Sequence, residues 1–210
     1  FRRVLFRSVS ITGDTLFETD ESFSVALSGP DNATLSSGQA TGTITNDDTL
    51  PTLSVSGGTL TEGDTGSSNL SFQVTLSAPS VQPVSARYAT ADGTASAGLD
   101  YTPASGQVII PAGTTTQSIA VPVLSDRLFE ADETFTVTLN APASATIGTA
   151  TATGVIANDD PMPALSISSA TVAEGNAGTG LATFAVTLSA PSGLPVTVGF
   201  ATANGKIGRA

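Results

Sequence analysis

Apolar and polar residues alternate one by one over several short stretches of this chain. In Leu70-Ser71-Phe72-Gln73-Val74-Thr75-Leu76 the apolar side chains fall on one face of an extended backbone and the polar ones on the other. That period of two predicts a half-buried antiparallel strand. The same pattern runs through Phe135-Thr136-Val137-Thr138-Leu139 and through Ile119-Ala120-Val121-Pro122-Val123. Pro122 lies on the polar face, and because proline cannot donate to a ladder it predicts an edge strand. Residues 53–55 with 59–61, 83–90, 107–110 and 150–156 are further strand candidates, separated by clusters of Gly, Pro, Asp and Ser. Helical spacing of apolar residues is not sustained over three turns anywhere.

About seven short strands in about 110 residues predict an all-β fold, an immunoglobulin-like antiparallel β-sandwich. Burial energetics favour two sheets over one open sheet. Leu53, Phe72, Val74, Leu76, Val108, Ile110, Phe135, Val137 and Leu139 each gain roughly 1.5–3 kcal/mol on leaving water. Only a second apolar layer supplies that burial.

The pattern also repeats. Residues 9–48 lie over 121–160, and 53–93 over 165–205, at one constant offset of 112 and without a gap. A long constant period predicts a tandem array of domain units. One unit, 52–160, is complete; 9–48 supplies the C-terminal part of a first unit and 164–205 the N-terminal part of a third. The register fails at 1–8 and 206–210, which resemble translated adapter sequence on opposite strands and are expected to be scars outside the fold. They hold five of the seven basic residues, which leaves Arg87 and Arg127 against all 18 carboxylates.

So acidic a repeat repels nucleic-acid phosphates and anionic lipid surfaces, and no apolar run approaches the ~20 residues of a membrane helix. Neither nucleic acid nor direct membrane insertion is expected. Cysteine and histidine are absent, which removes disulfides, thiolate nucleophiles, the usual zinc sites and Ser-His-Asp arrangements. The one lysine, Lys206, lies in a suspected scar. Paired carboxylates stay chemically open as in glycosidases, but tryptophan is absent and aromatic residues make up 5% of the chain, too few for a sugar-stacking cleft. The chain is not expected to be an enzyme.

The acids instead gather at strand ends and turns: Glu62-Gly63, Leu99-Asp100-Tyr101, the run Ser125-Asp126-Arg127-Leu128-Phe129-Glu130-Ala131-Asp132-Glu133-Thr134-Phe135, and Asn158-Asp159-Asp160. With Asp92-Gly93-Thr94-Ala95 leading into Gly98-Leu99-Asp100-Tyr101, these motifs resemble the Calx-beta domain family, over all of 52–160 and both partial units. The resemblance implies an immunoglobulin-like sandwich that binds Ca²⁺ in loops at one end. By position it assigns the metal ligands as Glu62, Asp100, Asp126, Glu130, Glu133, Asp159 and Asp160. Elementary chemistry points the same way, because Ca²⁺ takes six to eight oxygens and favours carboxylates. Asp132 reads as a solvated or turn-capping group rather than a ligand, Asp64 and Asp92 as turn formers, and Tyr101 and Phe129 as wedges beneath the loops. Arg127 and Pro161 stand where relatives that bind several ions often carry aspartates, so one or two ions are expected. The first unit keeps Asp14, Glu18, Glu21, Asp47 and Asp48 without counterparts of Glu62 and Asp100, and the third supplies only Glu174.

The functional expectation is a calcium-binding structural or adhesive repeat of a large secreted or cell-surface protein, its ions stiffening loops and junctions. Its partners would be calcium ions, the neighbouring repeats and, at the cell surface, other proteins or glycans. The alternative is a calcium-sensing module that regulates an attached transporter or enzyme.

Overall fold

The computed structural model describes residues 7–205. Apart from Arg7 and Ser8, the two expected scar segments lie outside the described residues. Thirteen strands follow in order: β1 (Glu21–Ala26), β2 (Gln39–Ile44), β3 (Thr52–Ser56), β4 (Thr59–Thr61), β5 (Ser67–Leu76), β6 (Val84–Asp92), β7 (Ser105–Ile110), β8 (Thr116–Leu124), β9 (Glu133–Ala143), β10 (Thr146–Ile147), β11 (Thr151–Ala157), β12 (Leu165–Ile167) and β13 (Val186–Leu188). Among the described residues every regular element is a strand. The unit 52–160 is a two-layer sandwich, with a four-stranded sheet in the order β10-β3-β5-β8 facing a five-stranded sheet in the order β4-β11-β9-β6-β7. β8 is an edge strand, as Pro122 requires.

The alternation read along each strand becomes the core. Phe72, Val74, Val121, Val123, Phe135 and Val137 point inward and are fully buried. Phe72 meets Phe135 edge-on at 5.6 Å between ring centres, and Tyr101 stacks on Phe135 at 4.3 Å. The first strand of the unit changes sheet at Ser56-Gly57-Gly58: β3 pairs with β5, whereas β4 runs parallel to β11. A Cβ on Gly57 would collide with the Thr153 carbonyl, so the crossing depends on glycine there. The two-residue strand β10, parallel to β3, is too short to show a period and was not anticipated.

The partial units keep the same pairing. Glu21 faces Ile44 as Glu133 faces Ile156, and Leu165 faces Leu188 as Leu53 faces Leu76. Their burial differs because, among the described residues, each partial unit has one two-stranded sheet and no second sheet to cover it. Val25 is 40% exposed where its counterpart Val137 is fully buried, and Phe184 is 53% exposed where Phe72 is fully buried.

Strand register also decides where the acids go. Ala157 pairs with Thr61, Glu133 with Ile156, Phe135 with Asp92, and Leu124 with Ser67. The ends of β4, β6, β8 and β11 and the start of β9 therefore share one pole of the sandwich.

Candidate metal centre

Each acid at that pole is set by its backbone. Glu62 follows β4, where its N–H donates to the Ala157 carbonyl at 3.2 Å and its own carbonyl accepts the Ser125 hydroxyl. Gly63, at φ 78°, then turns the chain and donates its N–H to Asp159 Oδ1 at 3.2 Å. Asp126 closes the turn after β8 by accepting the Leu128 N–H at 2.7 Å on Oδ1. Asp100 holds its own loop, accepting the Ser96 N–H at 2.7 Å on Oδ2, while its carbonyl accepts the Leu124 N–H at 2.9 Å. Glu133 is the first residue of β9.

Six of the seven expected ligands meet in two triads. Glu62, Asp126 and Asp160 each bring a carboxylate oxygen within 4.8 Å of the others, and so do Asp100, Glu130 and Glu133. Among the described residues, both triads lie in the complete unit. Asp159 stands outside them, one oxygen engaged by the Gly63 N–H. Arg127 turns to Asp64, with a nitrogen 3.6 Å from its carboxylate, and both side chains are well exposed. Asp64 is thus more than a turn former, since it carries the partner of one of the few cations in the repeat.

The electrostatics are those of anions held close together, with Arg127, among the described residues, the one nearby cation acting on them. Glu62 is only 6% exposed; burial, and then the carboxylates of Asp126, Glu130, Asp160 and Asp159, push its pKa up to about 7. Glu133 is raised to about 7 by burial and by Asp100 beside it. Burial followed by Asp126, Asp100 and Asp160 raises Glu130. Asp160 is raised by desolvation, then by Asp64, Asp159 and Asp126, with Arg127 acting in the opposite sense. Two buried oxygens, Glu62 Oε1 and Asp160 Oδ2, have no hydrogen-bond partner. Buried polar atoms are normally satisfied, and these two belong to the same triad.

A bracket not foreseen in the sequence holds the pole together. Asn158 accepts the Glu130 N–H on Oδ1 at 3.0 Å, donates Nδ2 to the Asp160 carbonyl at 3.0 Å, and donates its N–H to Asp132 Oδ1 at 3.1 Å. One side chain thereby fixes a member of each triad. The first unit builds the same bracket from Asn46, with Glu18 at 3.0 Å, Asp48 at 2.9 Å and Asp20 at 2.9 Å. The recurrence of Asn-Asp-Asp at 46–48 and 158–160 was the available signal. Asp132 enters neither triad and instead accepts the Asn158 N–H from across the pole. Tyr101 is a buried wedge, and its hydroxyl donates to Asp92 Oδ1 at 2.6 Å while the same oxygen accepts the Ala97 N–H at 3.0 Å. Asp92 therefore anchors the loop that carries Asp100.

Clustered carboxylates and nothing softer make a donor set for a hard cation. Ca²⁺ accepts six to eight oxygens in flexible geometry, whereas Mg²⁺ demands a near-ideal octahedron and retains water. Acids gathered from four chain segments fit the first better. The Calx-beta domain model matches residues 3–48 and 58–161, well over half the chain, and its first span begins within segment 1–8.

The chain belongs to the Calx-beta family.

Calx-beta domains are calcium-binding modules, and the donor set of this one fits that ion. Similar solved structures include the apo form of the Calx CBD1 domain, 26% identical with a TM-score of 0.48, covering 53% of this chain and 100% of that one. The CBD12 structure from CALX1.2 is 31% identical with a TM-score of 0.45, covering 50% of this chain and 43% of that one. The calcium binding domain CBD12 of CALX1.1 is 29% identical with a TM-score of 0.46, covering 50% and 44%. No curated protein is a significant match. Among the described residues, no helix is long and apolar enough to cross a membrane.

Proposed function

We propose that 52–160 is a calcium-binding structural repeat of a large extracellular or cell-surface protein, the ions stiffening its loops and the junctions between units. The observation that carries this reading is the pair of orphaned buried oxygens on Glu62 and Asp160, two residues of one triad, which lack any hydrogen-bond partner. Glu62, Asp100, Asp126, Glu130, Glu133 and Asp160 are the ligands, with Asp159 supporting the Glu62 turn. Without a cation, each carboxylate pair at ~4 Å costs about 1 kcal/mol in water and about 4 kcal/mol at an effective dielectric of 20. Bound calcium removes that cost and orders four loops at once.

A secreted setting suits the design, because extracellular calcium modules bind at ~10⁻⁴–10⁻³ M and stay filled outside cells. Only Pro161-Met162-Pro163 separates the second unit from the third, so stiffening one end of a unit is felt by the next. Adhesion to other surface proteins or glycans would be the task of the assembled array, and no reaction is assigned to the repeat itself.

Thermal melts of the chain in calcium, in magnesium and in chelator test the reading. Calcium at 100 times its dissociation constant should add about 2.7 kcal/mol of stability. Equal melting in calcium and chelator would remove the proposal. Micromolar affinity with a large change of shape would favour the calcium-sensing alternative.

A further inference from the structure

The third unit meets the acidic pole of the second through one turn. The Gly193 N–H donates to the Phe129 carbonyl at 3.1 Å, the Ser192 hydroxyl reaches the same carbonyl at 3.4 Å, and Phe129 and Ser192 form a parallel bridge. The next residue after Phe129 is Glu130, of the second triad. Gly193 lies flat against it: a Cβ on Gly193 would stand 2.8 Å from Glu130 Cγ and 2.9 Å from Cδ, and closer still to Oε1. A larger residue would require the Glu130 side chain to shift, and Glu130 shares its triad with Asp100 and Glu133.

The offset of 112 supplies an internal comparison. Ser192 corresponds to Ser80, Gly193 to Val81, Phe129 to Phe17 and Glu130 to Glu18. Among the described residues, no hydrogen bond or bridge joins the turn at Ser80 and Val81 to Phe17 or Glu18, and Val81 is 39% exposed. The turn that closes on the preceding unit has glycine at this position; the turn that does not has valine.

We propose that the turn Pro191-Ser192-Gly193-Leu194 is a docking element for the acidic pole of the preceding unit, and that its closure over Glu130 and cation binding at the Asp100–Glu130–Glu133 triad reinforce each other. The sign follows from charge. Seating Gly193 on Glu130 strips water from a carboxylate already surrounded by other anions, which is costly while the triad is bare. A cation neutralises the triad, so closure then costs less, and by reciprocity closure tightens the cation. Junctions in the array are accordingly unequal, the second-to-third closed by this turn and the first-to-second not.

The inference rests on the calcium reading, and two measurements on the full chain separate them. Amide exchange of Gly193 is followed by NMR in chelator and in saturating calcium, and calcium is titrated calorimetrically into the parent chain, Gly193→Val and Ser192→Ala. Valine occupies the corresponding turn position at 81, and unchanged near-UV dichroism from Tyr88 and Tyr101 would show the second unit intact. Calcium should slow Gly193 exchange about five-fold or more, and Gly193→Val should weaken one class of calcium site by a similar factor, with Ser192→Ala intermediate. Calcium binding without any change in Gly193 exchange, or binding by Gly193→Val equal to the parent, would overturn the coupling while leaving the calcium reading intact. A parent chain that takes up no calcium defeats that reading and the coupling with it.

Discussion

The Ser125 hydroxyl donates to the Glu62 carbonyl, across 63 residues of chain, and so ties the loop after β8 to the residue after β4. Asp126, next to Ser125, and Glu62 are members of one triad, which makes this bond the strut between two ligands from opposite sheets. Ser125→Ala should cost about 0.5–1.5 kcal/mol of stability and weaken calcium binding in the same direction, as read by melts and titration. Glu62→Gln should separate the two quantities. It removes a repelling charge, so the metal-free chain should melt higher, yet calcium affinity should fall at least about ten-fold, since one carboxylate at ~4 Å is worth up to about 4 kcal/mol at an effective dielectric of 20. A metal-free Glu62→Gln chain that melts lower than the parent would contradict the repulsion argument.

The raised carboxyls fix a pH dependence. Glu62 and Glu133 titrate near 7 in the folded, metal-free chain against an ordinary value of 4.5, so between those values the folded state holds protons that the unfolded state has released. The associated stability is complete below about 4.5 and is lost as pH rises through about 7. In chelator the chain should therefore melt higher near pH 5.5 than near pH 8. Calcium reverses the trend, because the ion competes with those protons; affinity should climb through pH 7 and binding should release protons. Calorimetry in buffers of different ionisation enthalpy measures that release.

Strands long enough to show their period were legible from the chain alone, and so was the repeat that aligns them. The missed element, β10, pairs through two residues and owes its place to β3 rather than to any pattern of its own. The acids were named as a set through the resemblance that their motifs carry, and six of the seven come together in the structure. Their division into two triads was not legible, since it depends on which strand ends meet through the sandwich. Asp159 and Asp160 are neighbours in sequence, yet Asp160 enters a triad while Asp159 accepts the Gly63 N–H. Extended backbone sends adjacent side chains opposite ways, and only the loop geometry says which of them faces inward. Asn158 was hidden for another reason: its work is done through amide hydrogen bonds whose partners lie 28 residues back in the chain and two residues ahead.

Asn158 gives a prediction that follows from holding both triads. Asn158→Ala leaves the Glu130 N–H and the Asp160 carbonyl without their partner and frees a ligand from each site. Calcium binding at both sites should weaken together, with a stability loss of about 1–3 kcal/mol for the unsatisfied groups. Asn158→Asp keeps an acceptor for the Glu130 N–H but loses the donor to Asp160 and adds a negative charge, so Glu130 should be held better than Asp160. Titrations resolving two sites would show unequal losses, and equal losses in the two variants would argue against a bracket acting on both.

Tyr101 links core to site without touching an ion. Its ring stacks on Phe135 at an interplanar angle of 10° and its hydroxyl donates to Asp92, which with the Ala97 N–H closes the loop leading to Asp100. Burial and the Asp92 bond raise the phenol to about 12, so it remains a donor throughout the working pH range. Tyr101→Phe preserves the stack and removes only the hydroxyl. Loss of a hydrogen bond to a charged acceptor should lower stability by about 1.5–3 kcal/mol. Because Asp100 belongs to the second triad alone, the loosened loop should weaken calcium at that site and leave the Glu62 triad unchanged. Asp92→Asn, which keeps an acceptor for the phenol while discarding the charge, should cost less stability than Tyr101→Phe. A Tyr101→Phe chain that loses affinity equally at both sites would show that the hydroxyl acts through general softening of the sandwich rather than through the Asp100 loop.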